Sequence, residues 1–331
     1  MIDRRIYVLG AAQVSVQEPL SSSWLDHPVP LEGGYLRARD PQWRDYLSAL
    51  QLRRMGPILR RAMVTSQAAL DGAVPEAIMT GTGLGCIEHT EQFLTDLCTG
   101  GEEMLSPAGF MQSTHNTVGS LVAIQTRNHG YNCTYSQGSL SFESALLDAF
   151  VQMRLGKIHS ALVGGHDETT PKTYQVVAHT SLSEGTVPVT EGAAALYLSD
   201  SPDREPLCAL TGMGIVRGAD PAEFLPHLEK AARPDVIFTG RCGRRDVDAW
   251  YNAVLEAYAG VPVLDYKQLF GEFFSVSALG IYAAATCLSQ GKLPVAPACG
   301  TEVAALRKIL FINHYEGAFA SYAVFEKPCG D

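Results

Sequence analysis

The sequence predicts a layered α/β fold built from two halves. Segments with the patterns of strands and of helices alternate on both sides of residues 199–206, and such alternation favours sheets covered by helices. Residues 199–206 have the sequence SDSPDREP, a polar stretch with two prolines that is typical of a connection. The chain has 331 residues, which is enough for two regions that each have a core. We therefore place one half at residues 1–200 and the other at residues 206–331.

Apolar spacing and chain-breaking residues predict the elements of the first half. Apolar residues recur at helical spacing over residues 52–70, and Gly72 marks the end of that helix. Residues 140–155 are apolar almost all round, so we expect that helix to be buried in a large core. The full set is a strand at 6–11, a loop at 26–46, a helix at 52–70, a strand and glycine-rich turn at 76–85, helices at 89–98 and 112–127, a strand at 131–135, a helix at 140–155, and strands at 160–164 and 192–198.

The second half repeats this alternation, although no strong sequence repeat relates it to the first. Short apolar runs indicate strands, and longer runs with helical spacing indicate helices. The predicted elements are strands at 207–216, 236–239 and 261–264, helices at 222–232, 247–258 and 273–290, and two closing strands at 308–312 and 321–325.

Composition argues against several classes of protein. Hydrophobic residues make up 46% of the chain and charged residues 18%, which is ordinary for a globular protein. No apolar run reaches the roughly 18 residues that a membrane span needs, so we expect no span and a cytoplasmic location. The eight cysteines are scattered without a CxxC pair or a Cys/His cluster. We therefore expect no disulfide, no metal site and no cofactor.

The charge distribution argues against nucleic acid as a partner. The net charge is −10, and no basic stripe interleaves with aromatic residues. The basic residues that do cluster lie on a predicted helix and indicate a solvated face. They are Arg53, Arg54, Arg60 and Arg61.

Residues 131–168 carry the most specific pattern in the chain. They combine a strand, a tight turn, a buried helix, a second strand and a Gly-Gly turn. This arrangement resembles the nucleophile region of β-ketoacyl synthases, the condensing enzymes of fatty-acid and polyketide synthesis. In that family a reactive Cys lies at the turn, a fixed number of residues before the glycine that ends the helix. Counting back from Gly156 by that number places Ser139 at the nucleophile position.

The resemblance covers nearly the whole chain. It is strong at residues 131–168 and 191–193, moderate at residues 265–280, and weak before Ile78. It implies a thiolase-like five-layered αβαβα fold made of two similar halves.

The two histidines that assist condensation in β-ketoacyl synthases are absent from the matching positions. Gly240 stands at the first position, and Asp248 has the spacing of the family's downstream aspartate. In the family's Lys-x-x-x-Gly-His pattern, Lys267 is kept and Glu272 replaces the histidine. The glycine-rich gating loop of the family has the sequence NHYEGAF here, at residues 313–319, so most of its glycines are gone.

These replacements do not support a Claisen condensation by this chain. A serine hydroxyl is a poor nucleophile without a neighbouring base. Because Ser is a preferred first residue of helices, we interpret Ser139 as a helix N-cap. A carboxylate at Glu272 would oppose the negative charge that condensation builds up. For Lys267 two interpretations stay open, a structural ion pair and a retained role in the site.

The pattern resembles a chain length factor, the inactive ketosynthase-like subunit of type II polyketide synthases. Its compact form is similar to the subunits that serve aryl polyene or flexirubin pigments. The resemblance implies a heterodimer with an active β-ketoacyl synthase, and an acyl carrier protein that docks through that partner. The acyl chain would enter a tunnel at the dimer interface.

The helix before the nucleophile strand would line this tunnel. We interpret its lone histidine as a structural residue that forms hydrogen bonds. The candidate lining residues are Phe110, Thr114, His115, Thr117 and Val118.

The nucleophile strand itself would pair with its counterpart across a two-fold axis. An uncharged strand with aromatic and β-branched residues would favour aggregation if its edge were left open. The candidate interface residues are Tyr131, Asn132, Cys133, Thr134 and Tyr135.

Two other functions stay open beside the partner-subunit hypothesis. One is an acyltransferase or decarboxylase that uses Ser139, and the other is a homodimeric acyl-binding scaffold. Carrier-protein-dependent turnover by the isolated chain would indicate the first. The absence of an intact Cys-His-His ketosynthase in the neighbouring reading frame would favour the second.

Overall fold

The strands follow a mirrored order across one large mixed sheet. The computed structural model describes residues 4–102, 105–177, 185–218, 220–228, 233–295, 303, 305–315 and 318–328. The strands in this part are β1 Ile6–Val14, β2 Ala77–Gly81, β3 Tyr131–Tyr135, β4 Ser160–Asp167, β5 Gly192–Ser199, β6 Cys208–Arg217, β7 Val236–Thr239, β8 Val263–Asp265, β9 Lys308–Tyr315 and β10 Phe319–Glu326.

The strand order shows that the two halves have the same topology. The ten strands of the described part join in the order β3-β2-β4-β5-β1-β6-β10-β9-β7-β8. Counted outward from the β1–β6 contact, each half presents its first, fifth, fourth, second and third strand. The halves therefore meet through their first strands, which pair antiparallel near Tyr7 and Ala209.

Helices form three layers around the two groups of five strands. In the described part they are α1 Ala49–Arg54, α2 Pro57–Leu70, α3 Ile87–Gly100, α4 Pro107–Gln112, α5 Thr117–Thr126, α6 Ser141–Arg154, α7 Pro171–Val177, α8 Pro221–Leu228, α9 Arg245–Leu255, α10 Lys267–Phe270 and α11 Ser277–Gln290. Helices α6 and α11 contact strands of both halves, while α2 and α5 cover the first half from outside. Helices α8 and α9 share a core with β7, β9 and β10. The result is an αβαβα arrangement.

Three predicted helices differ from the observed ones. The helix predicted at 52–70 is divided into α1 and α2, because Pro57 starts a new helix and has no N–H to continue the first. The helix predicted at 112–127 is likewise divided, since α4 ends at Gln112 and α5 begins at Thr117. The helix predicted from residue 273 begins at Ser277. The predicted end of the helix at 222–232 lies outside the described residues.

The loops that follow parallel strands bring distant parts of the chain together. In the first half, Gly81 of β2 is in register with Tyr135 of β3 and Gly165 of β4. In the second half, Thr239 of β7 is in register with Asp265 of β8. Carboxyl ends of parallel strands share one edge of a sheet, and sites in α/β folds form there. The positions singled out in the sequence follow these strands directly.

Among the described residues, no helix combines the length and the apolar character that crossing a bilayer requires.

Two adjacent glycines of β4 allow the packing of the central layer to be tested. A Cβ at Gly165 would lie 2.5 Å from Ala278 Cβ and 2.8 Å from a Phe142 ring carbon, whereas a Cβ at Gly164 would only touch Ala194 O at 3.6 Å. We expect Gly165→Ala to lower the free energy of unfolding by about 1–3 kcal/mol through overpacking. Gly164→Ala should change it by less than about 1 kcal/mol. Urea unfolding measures both, and equal effects would contradict this packing.

Candidate functional site

The turn that would carry the nucleophile lies between β3 and α6. Ser139 is half-buried in a single 3₁₀ turn, Gly138–Leu140, that precedes the helix. The prediction that Ser139 caps α6 is wrong, because Leu140 occupies the N-cap position and makes no side-chain cap. Ser141 stabilises the turn instead: its Oγ accepts from Gln137 N at 2.8 Å and donates to Gly138 O at 2.7 Å.

A tyrosine from the other half reaches this turn. Gly138 has a φ of +57°, in the left-handed region that favours glycine. A Cβ at Gly138 would lie 2.8 Å from Tyr315 Oη. Tyr315 ends β9, where the gating-loop segment 313–319 begins, and residues 316–317 of that segment lie outside the described part. The first residues of the loop segment therefore contact the turn that contains Ser139 through a phenol.

The space beside Gly240 is occupied by two tyrosine hydroxyls. A Cβ at Gly240 would lie 2.7 Å from Tyr251 Oη, 2.9 Å from Tyr266 Oη and 3.0 Å from Asn313 Oδ1. Both hydroxyls donate to Asn313 Oδ1, at 3.3 Å and 3.0 Å. Burial raises the pKa of both phenols well above the ordinary value, so they remain neutral donors. A histidine at residue 240 would displace this arrangement.

The hydrogen bonds continue to a carboxylate in the central layer. Asn313 Nδ2 donates to Glu143 Oε1 at 2.5 Å, and Ser277 Oγ donates to Glu143 Oε2 at 2.8 Å. Glu143 is only 1% exposed, and its burial raises the pKa of the carboxyl. Sequence reasoning missed this residue. The available signal was an acidic side chain within the first turn of a helix whose first three turns are mostly buried.

Lys267 and Glu272 form a buried ion pair. Lys267 Nζ donates to Glu272 Oε2 at 2.6 Å, and the two residues are 8% and 4% exposed. Burial lowers the pKa of the Lys267 ammonium, but the Glu272 carboxylate more than offsets this effect and holds the pKa above its ordinary value. This geometry is the ion pair that one of the two interpretations of Lys267 predicted. The Glu272 carboxylate is thus matched by a buried cation.

Two aspartates hold the surrounding turns. Asp248 accepts from the backbone N–H groups of Cys242 and Gly243, each at 3.0 Å, and so holds the turn that follows β7. Asp167, at the end of β4, accepts from Leu84 N at 2.8 Å and from Ser275 Oγ at 2.7 Å. Asp167 therefore joins the turn after β2 to the segment before α11, across the two halves. The sequence indicated Asp248 by its spacing but did not indicate Asp167.

Comparison with known proteins assigns the family. Residues 24–221 match the family described as β-ketoacyl synthase, N-terminal domain. The chain belongs to the β-ketoacyl synthase family. This membership confirms the family resemblance seen in the sequence. No curated protein matches the chain.

Solved structures of synthases confirm the thiolase-like fold. The ishigamide ketosynthase/chain length factor is 16% identical with a TM-score of 0.79, and the match covers 98% of this chain and 100% of that one. A structure of AntDE:AntF, described as a type II PKS acyl-carrier protein in complex with its ketosynthase bound to the hexaketide, is 15% identical, with a TM-score of 0.80 and the same coverage. A β-ketoacyl synthase from Burkholderia phymatum STM815 is also 15% identical, with a TM-score of 0.79 and the same coverage. At these identities the likeness shows the fold.

The positions that match the synthase catalytic set lie around one junction between the halves. Ser139 follows β3, whereas Gly240 and Glu272 follow strands β7 and β8 of the second half. Tyr315 touches the Ser139 turn, and Asn313 from the same strand touches both Gly240 and Glu143. The fold therefore brings side chains of both halves to one junction.

The five predicted tunnel residues do not face one space. Thr114 and Thr117, together with Phe110, line a surface groove of about 720 Å³ between α1, α4 and α5. Val118 is 3% exposed and belongs to the core beneath α2. His115 packs on the turn after β2, where a Cβ at Gly85 would lie 3.2 Å from its ring. Only His115 points toward the strand ends that form the site.

The predicted interface strand lies at the edge of the sheet. Within the described residues, β3 pairs with β2 on one side and with no strand on the other. Tyr131 is 42% exposed. Leu50, Phe110, Met111 and Ile124 around the groove are each more than half exposed. An open edge and exposed apolar side chains are the features of a surface that another chain covers.

The buried pair Lys267–Glu272 can be compared with an exposed pair of the same length. Replacing one partner leaves an uncompensated buried charge, so Glu272→Leu should lower the free energy of unfolding by about 3–5 kcal/mol. The double variant Lys267→Met/Glu272→Leu should lose much less than the sum of the single losses. Lys292 Nζ and Asp26 Oδ1 also lie 2.6 Å apart but are exposed, so Asp26→Asn should cost less than about 1 kcal/mol. Denaturant unfolding measures each value, and additive losses would contradict the pairing.

Proposed function

We propose that the chain is a non-catalytic, chain length factor-like subunit that pairs with an active β-ketoacyl synthase. In this role it shapes the acyl tunnel of a type II polyketide synthase, of the kind that makes aryl polyene pigments, or of a related fatty-acid-like pathway. The proposal rests on which side chains occupy the junction between the two halves. At the positions where the synthase family has Cys, His and His, the resemblance places a serine, a glycine in contact with two phenols, and a carboxylate paired with lysine.

The chemistry of condensation needs groups that this junction lacks among the described residues. An acyl-accepting thiol must become a thiolate, and a serine needs a base to take its proton. The developing negative charge needs donors aimed at it. Glu272 is an acceptor whose charge is engaged by Lys267, and the hydroxyls of Tyr251 and Tyr266 are engaged by Asn313. The chain contributes a shaped wall rather than reacting groups.

The exposed edge of β3 and the apolar groove support pairing with a second chain. A homodimer would cover the edge but would contain no thiol nucleophile at the turn. A mixed dimer with an intact synthase contains one complete Cys-His-His set and keeps this wall. Acyl carrier protein would then dock through the partner, because a chain of net charge −10 opposes association with a carrier that is itself acidic. An obligate interface of this type buries about 2,000 Å² or more.

Co-expression with an intact Cys-His-His ketosynthase tests the proposal. We expect a stable 1:1 complex, and self-association or poor solubility when the chain is made alone. Size-exclusion chromatography with native mass measurement detects the mixed species. Two separate homodimers without a mixed species would overturn the partner-subunit role.

Ser139 provides the control for residual chemistry. Ser139→Ala should leave the product of the reconstituted pair unchanged. Incubation of the isolated chain with an activated acyl donor, followed by intact mass measurement, should give no adduct at this residue. A stoichiometric adduct that disappears in Ser139→Ala would favour the acyltransferase alternative instead.

Bulk in the turn that leads into α5, the helix before β3, should separate the two sides of that turn. His115 faces the strand ends, whereas Thr114 faces the outer groove, so His115→Trp should shorten the product of the reconstituted pair. Thr114→Trp adds the same ring to the neighbouring position and should change product length less. Mass spectrometry of the products measures chain length. An unchanged distribution in both variants would remove this helix from the tunnel.

A further inference from the structure

The two faces of β3 have different surroundings. Asn132 Nδ2 donates to Gly119 O of α5 at 2.9 Å, and Thr134 shares a hydrogen bond with Thr80 at 2.8 Å. Side chains alternate along a strand, so Tyr131, Cys133 and Tyr135 lie on the opposite face. Helix α6 covers that face.

A carboxylate lies on this face, close to the open edge. Asp148 of α6 accepts from Gln152 Nε2 at 2.9 Å through Oδ1. Its Oδ2 is buried, and the nearby hydroxyls of Tyr131 and Tyr135 are the donors that face this carboxylate. Burial, Cys133 and Asp148 together raise the pKa of Tyr131 to about 12, and burial and Asp148 also raise the pKa of Tyr135. The Asp148 carboxylate therefore raises the pKa of the phenols at both ends of the strand.

Symmetry determines what this carboxylate would meet in a homodimer. Antiparallel pairing of β3 with a second copy of itself needs a two-fold axis perpendicular to the sheet, so the same faces continue across the edge. If all five residues pair, the axis passes through Cys133, the central residue. The two copies of Asp148 would then lie on one face beside the axis. Like charges placed together across an interface oppose association.

We propose that Asp148 disfavours self-pairing through β3 and selects a different chain whose pairing strand places an arginine or lysine over Tyr131 and Tyr135. A guanidinium or ammonium would lie against the phenol rings, with the carboxylate beneath them. This inference rests on the proposed function and specifies one feature of the partner. Under this inference, Asp148 determines whether the chain forms a mixed dimer or a homodimer.

Cys133 provides a direct readout of self-pairing. Residues opposite each other in an antiparallel pair have Cβ atoms about 4.5–5.5 Å apart, close to the separation that a disulfide needs. In a Cys98→Ser background, which removes an exposed cysteine, mild oxidation followed by peptide mapping should give little Cys133–Cys133 linkage. Asp148→Asn should raise that linkage about tenfold, as expected for the loss of about 1.4 kcal/mol of repulsion. Asp203→Asn, an exposed aspartate of the connecting segment, should leave it unchanged.

Co-expression with the intact ketosynthase distinguishes this inference from the proposed function. The ratio of mixed to self-paired dimer should fall about tenfold for Asp148→Asn relative to the unmodified chain, in line with the same loss of repulsion. If the unmodified chain forms no mixed dimer, the proposed function fails. If the mixed dimer forms and Asp148→Asn changes neither ratio nor linkage, the inference alone fails. If the variant does not fold, the unmodified chain provides the test. Its Cys133–Cys133 linkage should rise between about 0.05 M and 1 M salt, because salt screens the repulsion between the carboxylates. An unchanged linkage would overturn the inference.

Discussion

Buried carboxylates at the junction between the two halves constrain the rest of the structure. Glu143 and Asp167 belong to the first half, yet Asn313, Ser277 and Ser275 of the second half donate to them. A buried carboxylate without donors costs several kcal/mol, so these hydrogen bonds must form for the halves to pack. The same contacts set how the loops after the parallel strands approach one another.

Hydrogen bonds and an ion pair fill the junction between the halves. Here its volume is taken up by groups that bond to each other. Tyr251 and Tyr266 donate to Asn313, and Lys267 pairs with Glu272. These contacts give buried polar atoms their partners. In the described part of the chain, the β3 edge and the apolar groove remain uncovered.

Sequence reasoning found the elements whose signals are local. The bounds of β3 at Tyr131–Tyr135 and β7 at Val236–Thr239 match the predictions, because each is a short β-branched or aromatic run between clear breaks. The helix predicted at 52–70 rested on apolar spacing alone, and Pro57 within it marks the division into α1 and α2. Spacing from Gly156 and within 267–272 also predicted the positions of Ser139 and Glu272 in the synthase pattern, since such counts survive when the side chains change.

By itself, the sequence determined the family and the α/β alternation, and it predicted that Ser139, Gly240 and Glu272 stand at the synthase positions. Only the tertiary structure decided what surrounds those residues. Glu143 meets Asn313 across 170 positions of the chain, and no local pattern carries such a contact. The tertiary fold likewise places His115 against the turn after β2 and Thr114 in the groove. Both residues lie in the turn before α5, which begins at Thr117, and this turn sets the direction of each side chain. Propensity and periodicity act over a few residues, whereas the contents of this site depend on which strand ends the packing of two halves brings together.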